Sequence, residues 1–210
     1  LGPEGTLVVP TASASLCNTE TPYDPARTRS EMGAFTEFVR ALPGAVRSFH
    51  PFVSYTAVGP AAEAVCGNVS RHAYGPETPE ARLIERGALS VSVAMHPRLT
   101  CSVVHHVEMA MGVPYRYPKE YIHPVVRGGA VVREPLYQYV WYRECGIERD
   151  MTERRFAGVE AKHRVLKADV GRGALFSYRI AEFYRHAVGM FRDDIYAWLR
   201  RPPAVRPYQR

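Results

Sequence analysis

The stretch GAFTEFVRALPGAVRSFHPFVSYTAVG (33–59) decides how the rest of the chain is read. Its first half places Phe35, Phe38, Val39 and Leu42 at three- and four-residue spacing. That period predicts a short helix with those four side chains turned to the core. Pro43 and Gly44 stop the helix, and a strand is expected near 52–58. A helix followed closely by a strand favours an α/β domain. Between the two lies RSFHP (47–51), where Arg47 can clamp a phosphate and Ser48 can donate to one. The plainer reading of RSFHP is a polar loop with a surface salt bridge.

Working outward, TLVVPT (6–11) reads as a short apolar strand ended by Pro10, and residues 12–30, rich in Ser, Thr and Pro, as a long loop. Loops of that length in compact domains are often functional. PAAEAVCGN (60–68) reads as a helical turn or two. TPEARLIERGA (78–88) reads as a helix, with Thr78 as N-cap, Pro79 at the first helical position and Gly87 as stop. LSVSVAM (89–95) reads as a buried strand, and VRGGAVVREPLYQYVWYR (126–143), with Gly-Gly at 128–129, as a β-hairpin or meander. From Met151 to Leu199 the chain reads as largely helical with a break near Gly171 and Gly173. A stripe of Phe176, Ile180, Phe183, Tyr184 and Val188 there is taken as core. The tail, 201–210, is basic and Pro-rich, and is expected to be disordered. The fold class expected is therefore a three-layer α/β/α-like domain over 1–200, with a mixed sheet and a C-terminal helical region.

Composition sets outer limits. The chain has 210 residues, 46% hydrophobic and 23% charged, ordinary for one globular domain. No apolar run approaches the roughly 20 residues that span a bilayer. Cys17, Cys66, Cys101 and Cys145 are widely spaced without a C-x-x-C pair, which reads as free thiols in a reducing cytoplasm. The net charge of +6 attracts anions, whether nucleic acid, acidic membrane or a polyphosphate cofactor. The chain opens at Leu1 with a turn and then a strand, a beginning that suggests a fragment.

SVVHHVE (102–108) is the strongest chemical constellation. On a helix His105 and Glu108, three apart, share a face. A carboxylate beside an imidazole fixes its tautomer and raises its basicity, which prepares a general base. A solvated surface pair is the bland alternative. His106 points about 100° away and is read as structural.

Four stretches, in order, resemble the aminoglycoside 3-N-acetyltransferase (antibiotic N-acetyltransferase) family. GPEGTLVVPT (2–11) is similar to its G-x-D/E-G-T-L-x-x-P-T strand. Residues 33–59 resemble its G-x-x-x-E-x-x-R-x-x-P-G-x-x-R-S-x-H-P-x-x-S-x-x-A-x-G signature. YGPETPEARLIERGA (74–88) resembles its G-x-x-S-P-x-x-x-L-x-x-x-G segment, with Thr78 in place of Ser. SVVHHVE is similar to its T/S-x-x-H-x-x-E segment. The likeness is dense over the first half and loose over the C-terminal helices.

The resemblance implies acetyl transfer from acetyl-CoA, without metal, to an amino group of an aminoglycoside or related small natural product. His105 would be the general base and Glu108 its orienting partner. Arg47 and Ser48 would meet phosphate or pantetheine, Thr11 would line the pantetheine channel, and His50 and Ser54 are further cofactor-binding candidates. The family begins with a strand–helix–strand unit carrying a His-Ser-Ser loop before GPEGT, so the chain is expected to be N-terminally truncated. Met95-His96-Pro97 stands where the family has a Gly turn, and is expected to reshape the loop beside His105. A monomer or homodimer in the cytoplasm is expected, with no nucleic-acid or membrane partner. Two other readings stand beside this one. One is a metal-dependent hydrolase built on His50, His105, His106 and Glu108. The other is a basic nucleic-acid-binding module, against which the scatter of Arg along the chain counts.

Overall fold

The computed structural model describes residues 2–150, 154–163 and 165–206. In chain order the elements are β1 (Leu7–Pro10), α1 (Ala34–Arg40), β2 (Val46–Arg47), β3 (Tyr55–Val58), α2 (Ala62–Cys66), α3 (Pro79–Glu85), β4 (Leu89–Val93) and α4 (Pro97–Thr100). There follow α5 (Val103–Ala110), β5 (Arg116–Arg127), β6 (Ala130–Trp141), α6 (Arg154–His163), β7 (Leu166–Val170), β8 (Gly173–Arg179) and α7 (Ile180–Asp193). The mixture of helix and sheet expected of an α/β chain is present. The named strand pairs are antiparallel. Among the described residues, parallel pairing is confined to the isolated bridges Tyr23–Val125 and His72–Tyr137. The chain divides into two compact units, Leu1–Arg82 with Pro118–Gln138, and Leu83–Tyr117 with Tyr139–Arg210. The ends of β5 and β6 and the last turn of α3 carry the chain from one unit to the other.

In the first unit β3 is the centre of a three-stranded sheet, β1–β3–β2, with Val9 and Ala57 buried. The helix expected at 31–44 forms as α1, but it is rotated from the expected orientation. Thr36 and Val39 are buried, while Phe35 and Phe38 are 61% and 63% exposed. Polar contacts to the preceding loop set the rotation. The Thr36 hydroxyl lies 3.0 Å from that of Ser30, Glu37 accepts from the Ser30 N–H, and Arg40 donates to the Ala26 carbonyl. Hydrogen bonds to buried or half-buried groups are costly to leave unmade, and a solvent-facing Phe is tolerated.

The hairpin expected around Gly128-Gly129 is there as β5–β6. Both glycines have positive φ, 55° and 83°, as a tight primed turn requires. In α3, Thr78 Oγ1 accepts from the Ala81 N–H at 3.3 Å, the N-cap read from the sequence.

The second unit has a core of Val103, Val104 and Val107 from α5, Phe156 and Val159 from α6, Ile180, Phe183, Ala187 and Phe191 from α7, and Trp198. Phe183 stacks on Phe156 with centroids 4.8 Å apart, and Phe191 meets Trp198 edge-on at 4.7 Å. Full burial of one such side chain is worth roughly 1.5–3 kcal/mol. The expected glycine break in a helical region is a β-hairpin, β7–β8, which pairs with β4 in the order β4–β8–β7. Phe176 belongs to that hairpin and not to the α7 stripe, which begins at Ile180. The expectation of a buried β4 is also corrected. Ser92 is its buried residue, and Leu89, Val91 and Val93 are 51%, 55% and 70% exposed.

Part of the tail expected to be disordered packs. Pro203 is buried and the Arg206 guanidinium lies over the Tyr196 ring at 5.4 Å. Residues 207–210 of that tail lie outside the described residues.

Candidate active site

α5 carries His105 and Glu108. Val103, Val104 and Val107 anchor it in the core, and this fixes which way its remaining side chains point. Gly112, with φ +60°, ends the helix, and the Val113 N–H donates back to the Glu108 carbonyl at 3.1 Å. His105 and Glu108 lie on one face, with His105 Nδ1 3.5 Å from Glu108 Oε2. The imidazole is 28% exposed and the carboxylate fully buried.

A fully buried carboxylate needs partners, since the desolvation of an uncompensated charge costs several kcal/mol. Glu108 has four. Its Oε2 is 2.8 Å from Arg116 Nη2 and 2.9 Å from Arg149 Nη2, in addition to His105. Its Oε1 accepts from the Tyr115 hydroxyl at 3.2 Å. Burial raises the Glu108 pKa, but His105, Arg116 and Arg149 outweigh it and hold the group below the ordinary carboxylate range. Loss of water pulls the His105 pKa down. Glu108 opposes that shift, and the two arginines reinforce it. The Tyr115 phenol is raised by burial and by Glu108, so it stays protonated and remains a donor. Both guanidiniums also lie over the Trp141 ring, at 4.9 and 5.1 Å.

His106 is 6% exposed, with its ring edge-on to Tyr184 at 5.8 Å. Burial lowers its pKa to about 4, leaving a neutral core imidazole. Among the described residues no three His, Cys, Asp or Glu side chains gather to hold a metal ion, so the cluster that the hydrolase reading requires is not assembled. Met95-His96-Pro97 leads into α4. His96 caps α4 by accepting from the Arg98 N–H at 3.2 Å, and its Nε2 lies 2.8 Å from Glu160.

The five residues assigned to the cofactor lie in the first unit. Arg47 reaches two of the other four, Ser54 and Thr11. Its Nε donates to Ser54 Oγ at 3.2 Å, and its terminal nitrogens donate to the carbonyls of Thr28 and Thr11 and to Ser13 Oγ. Ser54 Oγ donates to the Thr11 carbonyl at 2.8 Å, and the Thr11 hydroxyl lies 2.9 Å from that of Thr56. Ser48 is buried, and its Oγ accepts from the Tyr55 N–H at 2.9 Å. His50 is 3% exposed beside Phe52, ring centroids 5.6 Å apart, and burial lowers its pKa to about 4. Thr11, Ser48, His50 and Ser54 are thus interior groups, and Arg47 directs its donors inward. A recess of about 360 Å³ beside Arg47 is bordered by Phe49, Cys66, Arg71 and Arg127. Arg71 and Arg127 share Glu134, each at 2.7 Å.

The sequence reading missed Arg116, Arg149, Tyr115 and Trp141. They join the α5 pair from 7 to 44 residues away. Their local context, YRYPKEY and IERD, carries no periodic or motif signal.

The fold is that of the aminoglycoside acetyltransferases. The structure matches that of aminoglycoside acetyltransferase AAC(3)-Xa with a TM-score of 0.76 at 22% identity, over 92% of this chain and 77% of that one. It matches AAC-IIIb in a binary complex with CoASH with a TM-score of 0.75 at 21% identity, over 92% and 79%. In sequence, the chain is 33% identical to aminoglycoside N(3)-acetyltransferase IX of Micromonospora chalcea over 74% of this chain and 58% of the relative. It is 36% identical to aminoglycoside N(3)-acetyltransferase VIII of Streptomyces fradiae over 51% and 38%. The family model described as aminoglycoside 3-N-acetyltransferase matches residues 1–192, and the chain belongs to that family. It spans 58% or less of the length of these two curated relatives. No helix among the described residues is long and apolar enough to cross a membrane.

Proposed function

We propose that the chain carries the base of an acetyl-CoA-dependent N-acetyltransferase that acts on an amino group of an aminoglycoside or related amine. The observation that supports this most is the His105–Glu108 pair, a partly exposed imidazole whose Nδ1 side faces a fully buried carboxylate. The relatives named aminoglycoside N(3)-acetyltransferases and the CoASH and sisomicin complexes of structural neighbours supply the substrate classes.

The reaction needs a base because an amine of ordinary basicity is protonated near neutral pH and must lose a proton to attack a thioester. In this reading the ammonium proton is first lost to solvent, the freed lone pair attacks the thioester carbonyl, and Nε2 of His105 takes a second N–H proton as the N–C bond forms. The C–S bond then breaks, and the proton passes to the departing CoA thiolate. Acetyl-CoA supplies the activated acyl group. A positioned base contributes roughly 10²–10⁴-fold. No acyl-enzyme is required, and the buried Cys66 thiol, pushed up to about 12 by burial, is unsuited to forming one.

The donor side is assigned to the first unit. Thr11, Ser48, His50 and Ser54 shape its wall from the interior, with Arg47 tying Thr11 and Ser54 in place. Arg71 and Arg127, half-exposed at the edge of the recess and sharing Glu134, are the cations this reading assigns to phosphate. A cytoplasmic monomer or homodimer completes the proposal.

The test is thiol release from acetyl-CoA in the presence of sisomicin, gentamicin and simpler amines. Turnover that falls about 10²–10⁴-fold in His105→Ala is expected. Absence of acetyl transfer to every amine, or full activity in His105→Ala, overturns the reading.

A further inference from the structure

Among the described residues, three neighbours compete for His105 Nδ1. Besides Glu108 Oε2 at 3.5 Å, Arg116 Nη2 lies at 3.2 Å and Arg149 Nη2 at 3.3 Å. A neutral imidazole carries one N–H, so these neighbours favour different tautomers. With the proton on Nδ1, the ring donates to Glu108 and Nε2 has a lone pair to accept the substrate proton. With Nδ1 accepting from a guanidinium, Nε2 carries the proton and cannot act as a base. The two arginines stand nearer to Nδ1 than the carboxylate does, and both also hold the carboxylate.

We propose that Arg116 and Arg149 are positioning residues that act through Glu108 and His105, fixing the carboxylate and setting how much of the imidazole is in its base-competent tautomer. The proposal rests on the general-base reading of His105 for its catalytic meaning. Among the described residues, the charged and titratable groups facing the ring are Glu108 on α5, Arg116 at the start of β5 and Arg149 after β6. Tyr115 adds a neutral donor to Glu108. Glu108 with the two guanidiniums carries a net charge of +1 before His105 takes a proton, so the pair opposes protonation of the ring.

The two arginines differ in their other duties. Arg116 is 5% exposed and also donates to the Tyr139 carbonyl at 2.9 Å, so its loss disturbs the β5–β6 pairing. Arg149, 16% exposed, is the cleaner probe.

The experiment is ¹⁵N NMR of histidine-labelled protein, titrated without substrate, alongside the pH profile of kcat/KM. In Arg149→Met, removing a positive charge beside Nδ1 is expected to raise the His105 midpoint by about one pH unit and to increase the Nδ1–H tautomer. The acid limb of kcat/KM moves to higher pH with it. Arg149→Lys keeps the charge and is expected to stay near the wild-type midpoint. Arg149→Gln replaces the Met variant should that one not fold. An unmoved His105 midpoint and tautomer in the uncharged variants overturns the proposal, as does an equal shift in Arg149→Lys. The NMR arms need no turnover. An inactive chain, or an active His105→Ala, therefore sinks the general-base reading while leaving the tautomer result to stand or fall separately.

Discussion

Arg47 in the first unit and the Arg116–Arg149 pair in the second use the same chemical group in opposite ways. Arg47 reaches three backbone carbonyls and two hydroxyls, all neutral acceptors, and acts as a clasp between β1, β2 and the loop at 25–28. Arg116 and Arg149 converge on one buried carboxylate and on an imidazole that shares it. The first arrangement fixes backbone, and the second surrounds a carboxylate–imidazole pair with positive charge. The comparison teaches that an arginine beside a candidate site is read from its acceptors and not from its place in a motif.

The comparison breaks first at Glu108. Glu108→Ala leaves two guanidiniums facing each other without their carboxylate, and a loss of about 3–5 kcal/mol of stability is expected by chemical denaturation. A loss no larger than that of an exposed ion pair would show that the carboxylate is not the keystone of the second unit.

Acid comes next, and it acts on both units. His50 and His106 are held neutral, with pKa values lowered by burial from 6.5 to about 4. The sign follows from the unfolded chain, which binds the proton more readily. The stabilisation is complete above pH 6.5 and is lost as pH falls from there through 4. Each histidine contributes as much as about 3 kcal/mol to that slope. Denaturation midpoints at neutral pH and near pH 4 measure it, and His106→Gln is expected to flatten the slope in the second unit.

Arg47→Ala should cost about 1–3 kcal/mol, the penalty for leaving the Thr11 and Thr28 carbonyls unpaired. If the clasp reading is right, Arg47→Lys recovers little, because one ammonium cannot reach five acceptors. Thr78→Ala removes the α3 N-cap and is expected to cost about 1 kcal/mol. Val91→Thr, on the exposed face of β4, should change stability by no more than about 0.5 kcal/mol. A larger cost at Val91 would mean that this face is covered in solution.

The sequence by itself determined what local rules control. Gly128-Gly129 dictates the hairpin because two successive positive φ angles suit glycine. Thr78-Pro79 and Gly87 bracket α3, and the spacing of His105 and Glu108 places them on one helical face whatever surrounds them. Only the tertiary structure decided the rest. The rotation of α1 came from polar partners at residues 26–30, which outweighed a period of four apolar residues. A glycine-punctuated hairpin at 166–179 took the place of helix, because β8 found edge pairing with β4 across more than 80 residues. The arginines that surround Glu108 come from loci 8 and 41 residues away. No period or motif records such a contact, because a buried charge draws its counter-ions from whatever part of the folded chain passes by.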